Sequence, residues 1–174
     1  RARAVPFNVN HHYRPSEVRA VFDMLAAEAV VYAKTLGPLV AEALDGRDVV
    51  LVEVDDGSDA ERLPGATGIE DAIAKAGPDQ LPTPSPDDLY VVCTGGTTGS
   101  PKAVLWRQGD AFVSAMAGSE GLLPEQLAER AAAGGGRWFA APPLMHAAAQ
   151  WTAFCGIHGG ATVLLHDDTR QFDA

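Results

Sequence analysis

With 174 residues, 47 % of them hydrophobic and 21 % charged, the chain has the make-up of a soluble globular protein and the length for one domain with a sizeable core. A formal net charge of -10 argues against nucleic acid or an anionic membrane as the main partner, since both need clustered Lys and Arg, but it leaves room for one local anion site. Two cysteines, Cys93 and Cys155, are too few for a disulfide framework and fit a reducing, cytoplasmic setting; no apolar run reaches the roughly 18 residues of a membrane helix, and the opening RARAVPFNVN has no signal-peptide core.

His11 and His12 follow an expected strand and read as surface or packing residues. Ser16 is the expected N-cap of the first helix, with Glu17 suited to its positive end. Val18, Val21, Phe22 and Leu25 then repeat at the spacing of one buried face. A short buried strand is expected from Ala29 to Ala33. Leu36, Leu39, Val40, Ala43 and Leu44 give a second helix, stopped by Gly46. The stretch DVVLVEVD, from Asp48, is a strand rich in β-branched residues. The acidic run from Glu53 to Glu61 reads as a solvated loop. Thr67 and Glu70 have capping-box spacing for a short helix with Ile69 and Ile73 on its apolar side, ended by Gly77.

Pro78, Pro82, Pro84 and Pro86 mark 78–88 as a linker between sub-regions 1–77 and 89–174. Beyond it, LYVVC and AVLWR are strands on either side of the loop around TGGTTGSPK, which predicts two antiparallel strands over 89–106. Helices are expected from Asp110 to Met116 and from Pro124 up to Gly134, Gly135 and Gly136. RWFAAP and ATVLL are further strands around the helical LMHAAAQWTAFCG. Strands alternating with helices predict an α/β fold, a layered sheet with helices on its faces. The final GGATVLLHDDTRQFDA reads as a strand and a polar turn with nothing after it to close a domain. With Arg1 rather than Met at the front, a piece of a longer chain is expected.

The loop carries the chemistry. Glycines allow positive φ and close approach of the backbone to a ligand, and exposed amides in such a turn make an anion-binding concavity. Thr94, Thr97, Thr98 and Ser100 add hydroxyl donors, and Lys102 adds a compact positive charge, a set suited to polyphosphate. A loop rich in Gly and Thr for solubility alone is the bland alternative. The P-loop pattern does not fit, because Pro101 precedes Lys102, Ala103 follows it and the flanks read as strands. Gly95, Gly96 and Gly99 have the wrong spacing for a dinucleotide fingerprint.

The stretch TGGTTGSPKAV resembles the phosphate loop of the adenylate-forming superfamily of acyl-CoA synthetases, luciferases and adenylation domains. Thr94, Gly96, Thr97, Thr98, Gly99, Pro101, Lys102 and Val104 match that pattern, while Cys93, Gly95 and Ala103 depart from it. The segment AVPFNVNHHYRPSEVRAVFDMLAAEAVVY is similar to one that precedes a helix and strand in the family. PPLMHAAAQW is similar to its Pro-Leu-Phe-His-x-x-Gly segment, with Met145 for the aromatic and Ala149 for the Gly. LWRQGDAF is most like the fatty-acid and steroid-acid synthetases.

The resemblance implies part of the large N-terminal domain of such an enzyme, with the C-terminal domain and the later magnesium, ribose and lysine motifs not found in this chain. It implies that Thr94, Gly95, Gly96, Thr97, Thr98, Gly99 and Lys102 bind the phosphates of ATP. It places His146 by the adenylate and acyl pocket, where a core histidine is the alternative. No residue here is assigned as catalytic. ATP, Mg2+, coenzyme A and a carboxylic acid are the implied cofactors and substrates of the full-length protein, in fatty-acid and lipid metabolism. A non-catalytic phosphate-binding or scaffold domain is the other functional reading. His146, Cys155, His158 and His166 have spacings that match no zinc pattern, so no metal ligand is assigned. Trp106, Trp138 and Trp151 read as core.

Overall fold

The computed structural model describes residues 4–77, 82–94 and 102–165. The fold is mixed α/β, and the chain divides into two compact units. One consists of Val9–Pro82 with Thr94–Ala103, and the other of Arg1–Asn8, Thr83–Cys93 and Val104–Ala174.

In the first of these units α1 spans Pro15–Leu25. Proline suits the first helical position because no N–H is needed there. The cap is therefore Arg14, not Ser16, and its backbone N–H donates to the Glu17 carboxylate at 2.8 Å. Val18, Val21 and Phe22 enter the core. Strand β1, Ala29–Ala33, buries Val30 and Tyr32 but leaves Val31 64 % exposed, so only one of its faces is covered. A 3-10 turn, Lys34–Leu36, leads into α2, Gly37–Leu44, which adds Val40, Ala43 and Leu44 to the core. Arg19 of α1 satisfies the end of α2, donating to Glu42 O at 2.7 Å and Ala43 O at 3.2 Å. These are carbonyls that a helix C-terminus leaves without intrahelical partners.

Strands β2, Val50–Val54, and β3, Thr67–Gly68, join β1 in a parallel sheet of order β1-β2-β3, with Tyr32 opposite Glu53. Two expectations fail here. Glu53 is no solvated loop residue: it is 2 % exposed, and its carboxylate accepts from Arg62 Nε at 2.9 Å and from the Tyr32 hydroxyl at 3.3 Å. Thr67 does not cap a helix, because its backbone pairs with Val52. Helix α3, Ile69–Lys75, starts one residue later behind Gly68, ends before Gly77 and leaves Ile73 61 % exposed.

The second unit holds all but the loop-side ends of β4, Leu89–Thr94, and β5, Lys102–Arg107, which form a two-stranded sheet. Residues 78–81 of the expected linker lie outside the described residues. Ser85 to Asp88 is a hydrogen-bonded turn, with Ser85 N to Asp88 Oδ2 at 2.9 Å and Asp88 N to Ser85 O at 3.0 Å. In place of the strand expected before His11, Phe7 makes one isolated bridge to Val91. Helix α4, Gln108–Ala115, begins two residues early, behind an extended Arg107, and α5 is Pro124–Ala132.

Strand β6, Arg137–Phe139, helix α6, Ala147–His158, and strand β7, Thr162–Leu164, make a parallel β-α-β unit with Trp138 opposite Val163. Small residues allow the close approach of α6 to its strands. Ala149 and Ala153 pack with Ala140 and Val163, and a Cβ on Gly156 would meet Val163 Cγ2 at 3.0 Å. Trp138 departs from its core expectation and is 43 % exposed. Among the described residues no helix is long and apolar enough to cross a membrane.

Candidate functional site

Residues Gly95, Gly96, Thr97, Thr98 and Gly99 lie outside the described residues, and the site is built from what flanks them. Thr94 closes β4 and Lys102 opens β5, so the lysine begins a strand and not a helix. Thr94 Oγ1 donates to Lys102 O at 3.4 Å, which sets the end of one strand beside the start of the other. At the far end Gln108 N donates to Asp88 O at 2.8 Å and Gly109 N to Pro86 O at 2.9 Å. A hairpin with a loop at one end requires this pattern of contacts. Thr94 and Lys102 are both exposed, and Lys102 belongs to none of the ion pairs among the described residues. Among the described residues that ammonium has no acidic partner, so an anion can meet it without breaking one of the described pairs. On β4, burial pushes the Cys93 thiol above its ordinary value, so this cysteine is a poor nucleophile at neutral pH.

In the other unit His146 is the N-cap of α6, with extended backbone at φ -98° and ψ 141°. Its N–H donates to Pro143 O at 2.9 Å, and its carbonyl accepts the first helical bond, from Gln150 N at 3.2 Å. The residue is exposed among the described residues. Three residues that sequence reasoning passed over hold this segment. The Tyr90 hydroxyl of β4 donates to Gln150 Oε1, and Gln150 Nε2 donates to Leu144 O at 2.6 Å. Asn8 Nδ2 reaches the same carbonyl at 3.5 Å. The sequence signal for this was a polar residue, four positions after His146, in the apolar first turn of the helix.

The remaining candidates have structural partners. Cys155 Sγ donates to Ala115 O at 3.2 Å, and His158 Nδ1 donates to Met116 O at 2.6 Å, so both side chains close the end of α4. Phe112 and Phe154 flank the His158 ring at centroid distances of 5.0 and 6.0 Å. His166 lies outside the described residues. Among the described residues no three His, Cys, Asp or Glu side chains converge as a metal would need. Trp106 and Trp151 meet edge to face at 5.6 Å and are half-buried. His11 and His12 are exposed, with ring centroids 4.0 Å apart; burial of its ring and the charge of His12 hold His11 below its ordinary value.

Residues 1–174 match the family described as AMP-binding enzyme. Over 183 residues the chain is 40 % identical to the medium-chain acyl-CoA ligase Mig of Mycobacterium avium, covering 99 % of this chain and 33 % of that protein. It is 32 % identical over 177 residues to a 3-oxocholest-4-en-26-oate–CoA ligase of Rhodococcus rhodochrous, covering 95 % of this chain and 32 % of that one. It therefore spans about a third of the length of these relatives. A benzoate CoA ligase from Burkholderia xenovorans LB400 superposes with a TM-score of 0.65 at 19 % identity, over 92 % of this chain and 30 % of that one, which shows a shared fold.

Proposed function

This chain belongs to the AMP-binding enzyme family, and from that premise we propose that it is part of the N-terminal domain of an ATP-dependent acyl-CoA ligase, with 1–77 and 89–174 as sub-regions joined through 78–88. The protein as a whole would activate a carboxylic acid as its adenylate, release pyrophosphate and pass the acyl group to coenzyme A. The observation that carries this reading is the Thr94–Lys102 pairing at the mouth of the TGGTTGSPK loop, with the lysine exposed and outside any described ion pair. Attack of a carboxylate on the α-phosphorus of ATP builds negative charge on the departing pyrophosphate. Loop amides, the Thr94, Thr97 and Thr98 hydroxyls and the Lys102 ammonium are the groups suited to neutralise it. Gly95, Gly96 and Gly99 let the backbone come close enough to do so.

His146, exposed at the start of α6, is assigned to the adenylate and acyl side. The acid is proposed to be of the fatty-acid or steroid-acid kind, and the setting cytoplasmic. Magnesium would arrive with ATP; the described residues supply no set of ligands for it, and no step is assigned to it here.

The test uses the full-length protein. Lys102→Ala removes a charge-assisted phosphate contact of about 2–3 kcal/mol, so ATP handling should weaken roughly 30- to 150-fold. His146→Ala should impair use of the acid more than binding of ATP. Nucleotide titration and acid-dependent pyrophosphate release separate the two. The reading fails if Lys102→Ala leaves ATP handling unchanged while His146→Ala abolishes it. Nucleotide binding with no acid-dependent pyrophosphate release would favour the non-catalytic phosphate-binding alternative.

A further inference from the structure

We infer that Gln150 is a positioning residue for the Pro143–His146 segment, fixing it to β4 through the Tyr90–Gln150–Leu144 relay. The inference rests on the proposed role of His146 on the acyl side. A glutamine amide has one acceptor oxygen and a donor nitrogen, and here each faces a different element. Oε1 takes the Tyr90 hydroxyl of β4, and Nε2 gives to Leu144 O at 2.6 Å. A flip of the amide would set Oε1 against Leu144 O, acceptor against acceptor, while the Tyr90 hydroxyl serves either orientation, so the Leu144 carbonyl assigns the one described. The Gln150 backbone N–H meanwhile binds His146 O at 3.2 Å. One residue thus grips the segment at Leu144 and again at His146.

Among the described residues little else holds that segment. The ladder between β6 and β7 continues only as far as Ala140 N, which donates to Leu164 O at 3.4 Å. Past it, 141–146 has no strand or helix of its own, and Leu144 is 43 % exposed. A short irregular turn with little buried apolar surface opens easily unless specific bonds close it. The directional bonds are those from Gln150, the longer one from Asn8 and the turn bond from His146 N to Pro143 O. Tyr90 matters because it sits on the strand that leads into the phosphate loop. The segment bearing His146 is therefore referenced to that strand by two consecutive side-chain bonds, and an apolar contact would not define direction in this way.

The experiment uses the full-length protein with Gln150→Leu, which removes both bonds, Gln150→Glu, which keeps an acceptor for Tyr90 but loses the donor to Leu144, and Tyr90→Phe. In both Gln150 variants the KM for the acid should rise about tenfold while that for ATP stays within about twofold. The amides of Met145, His146 and Ala147 should exchange with solvent about tenfold faster, with β1 and β2 unchanged. Tyr90→Phe should move both readouts the same way by less, and adding it to Gln150→Leu should have no further effect, because the two residues act in series.

A residue that only packs would lower Tm and leave the ratio of the two KM values and the local exchange unchanged; that result overturns the inference, as would equal rises in both KM values. If the Gln150 variants do not fold, Tyr90→Phe, which keeps the ring in place, decides by the same two readouts. If the unaltered protein releases no pyrophosphate in response to any acid, the ligase reading fails by itself. The exchange rates then still decide whether Gln150 holds the segment.

Discussion

At Glu53 a carboxylate lies almost wholly out of water, between a tyrosine hydroxyl and a guanidinium that is itself half exposed. The sequence shows an acidic run here, and composition favours a solvated loop. What decides the matter is strand register: Glu53 belongs to β2, opposite Tyr32, and Arg62 returns from the following loop nine positions later. Pairing at that distance leaves no local signature. Removing Arg62 leaves the buried Glu53 carboxylate without its cation, so Arg62→Ala should destabilise the chain, by less than loss of a fully buried pair because the guanidinium is half exposed. In a Glu53→Gln background the same change should cost clearly less. A double-mutant cycle by urea unfolding reads this coupling, and additive costs would refute it.

Tyr32 gives the pH dependence. Burial first, and then the neighbouring Glu53, raise its phenol above the ordinary value of 10.0, and burial does the same at Tyr90. The folded chain holds these protons more tightly than the unfolded one, so their stabilisation is complete below about pH 10 and is lost as pH climbs through the raised native values. Urea midpoints should fall above pH 10, and Tyr32→Phe should flatten that fall. An unchanged slope would show that the phenol is not responsible.

Among the elements, those with a strong apolar period and a chemical stop were legible. The expected strand at Ala29–Ala33 has those bounds in the structure, and Pro124 opens α5 as expected. The failures came where backbone groups were claimed from a distance. Thr67 looked like a cap because of Glu70, but its backbone is in the ladder with Val52. Helix α6 owes its place to small residues whose spacing gives no amphipathic signal, and its exit turn depends on Gly160. Gly160 has φ +72°, and a Cβ there would lie 1.9 Å from Ala131 O. Gly121 has nearly the same φ, +71°, with nothing within 4 Å. Alanine at Gly121 should therefore cost only the backbone strain, about 1 kcal/mol. At Gly160 it must also push α5 away, and should cost more than about 3 kcal/mol. Thermal unfolding of the two variants separates strain from collision; equal losses would mean that α5 yields freely.

The molecule as a whole was legible in family and fold class through three stretches, and least legible in what its surfaces do. In the unit that carries His146, β6 and β7 form a two-stranded sheet, a size that is marginal in water without further cover. Phe139 and Leu164 pair across it while 41 and 44 % exposed, and Leu165 beside them is 60 % exposed. Aromatic and aliphatic side chains at that exposure bind hydrophobic dyes and lower cooperativity. Residues 1–174 prepared alone should therefore bind anilinonaphthalene sulfonate well above the level of the longer ligase proposed here. They should also give no carboxylate-dependent ATP–pyrophosphate exchange above a Lys102→Ala control, because the loop and Lys102 supply charge neutralisation but no residue of this chain is assigned to the metal or to the chemical step. Exchange above that control would mean that the loop and the His146 segment suffice for adenylation, and that the division of labour proposed for the longer protein is wrong. Dye binding at the level of the longer protein would mean that the β6–β7 face needs no cover, and that the chain already buries what its stability requires.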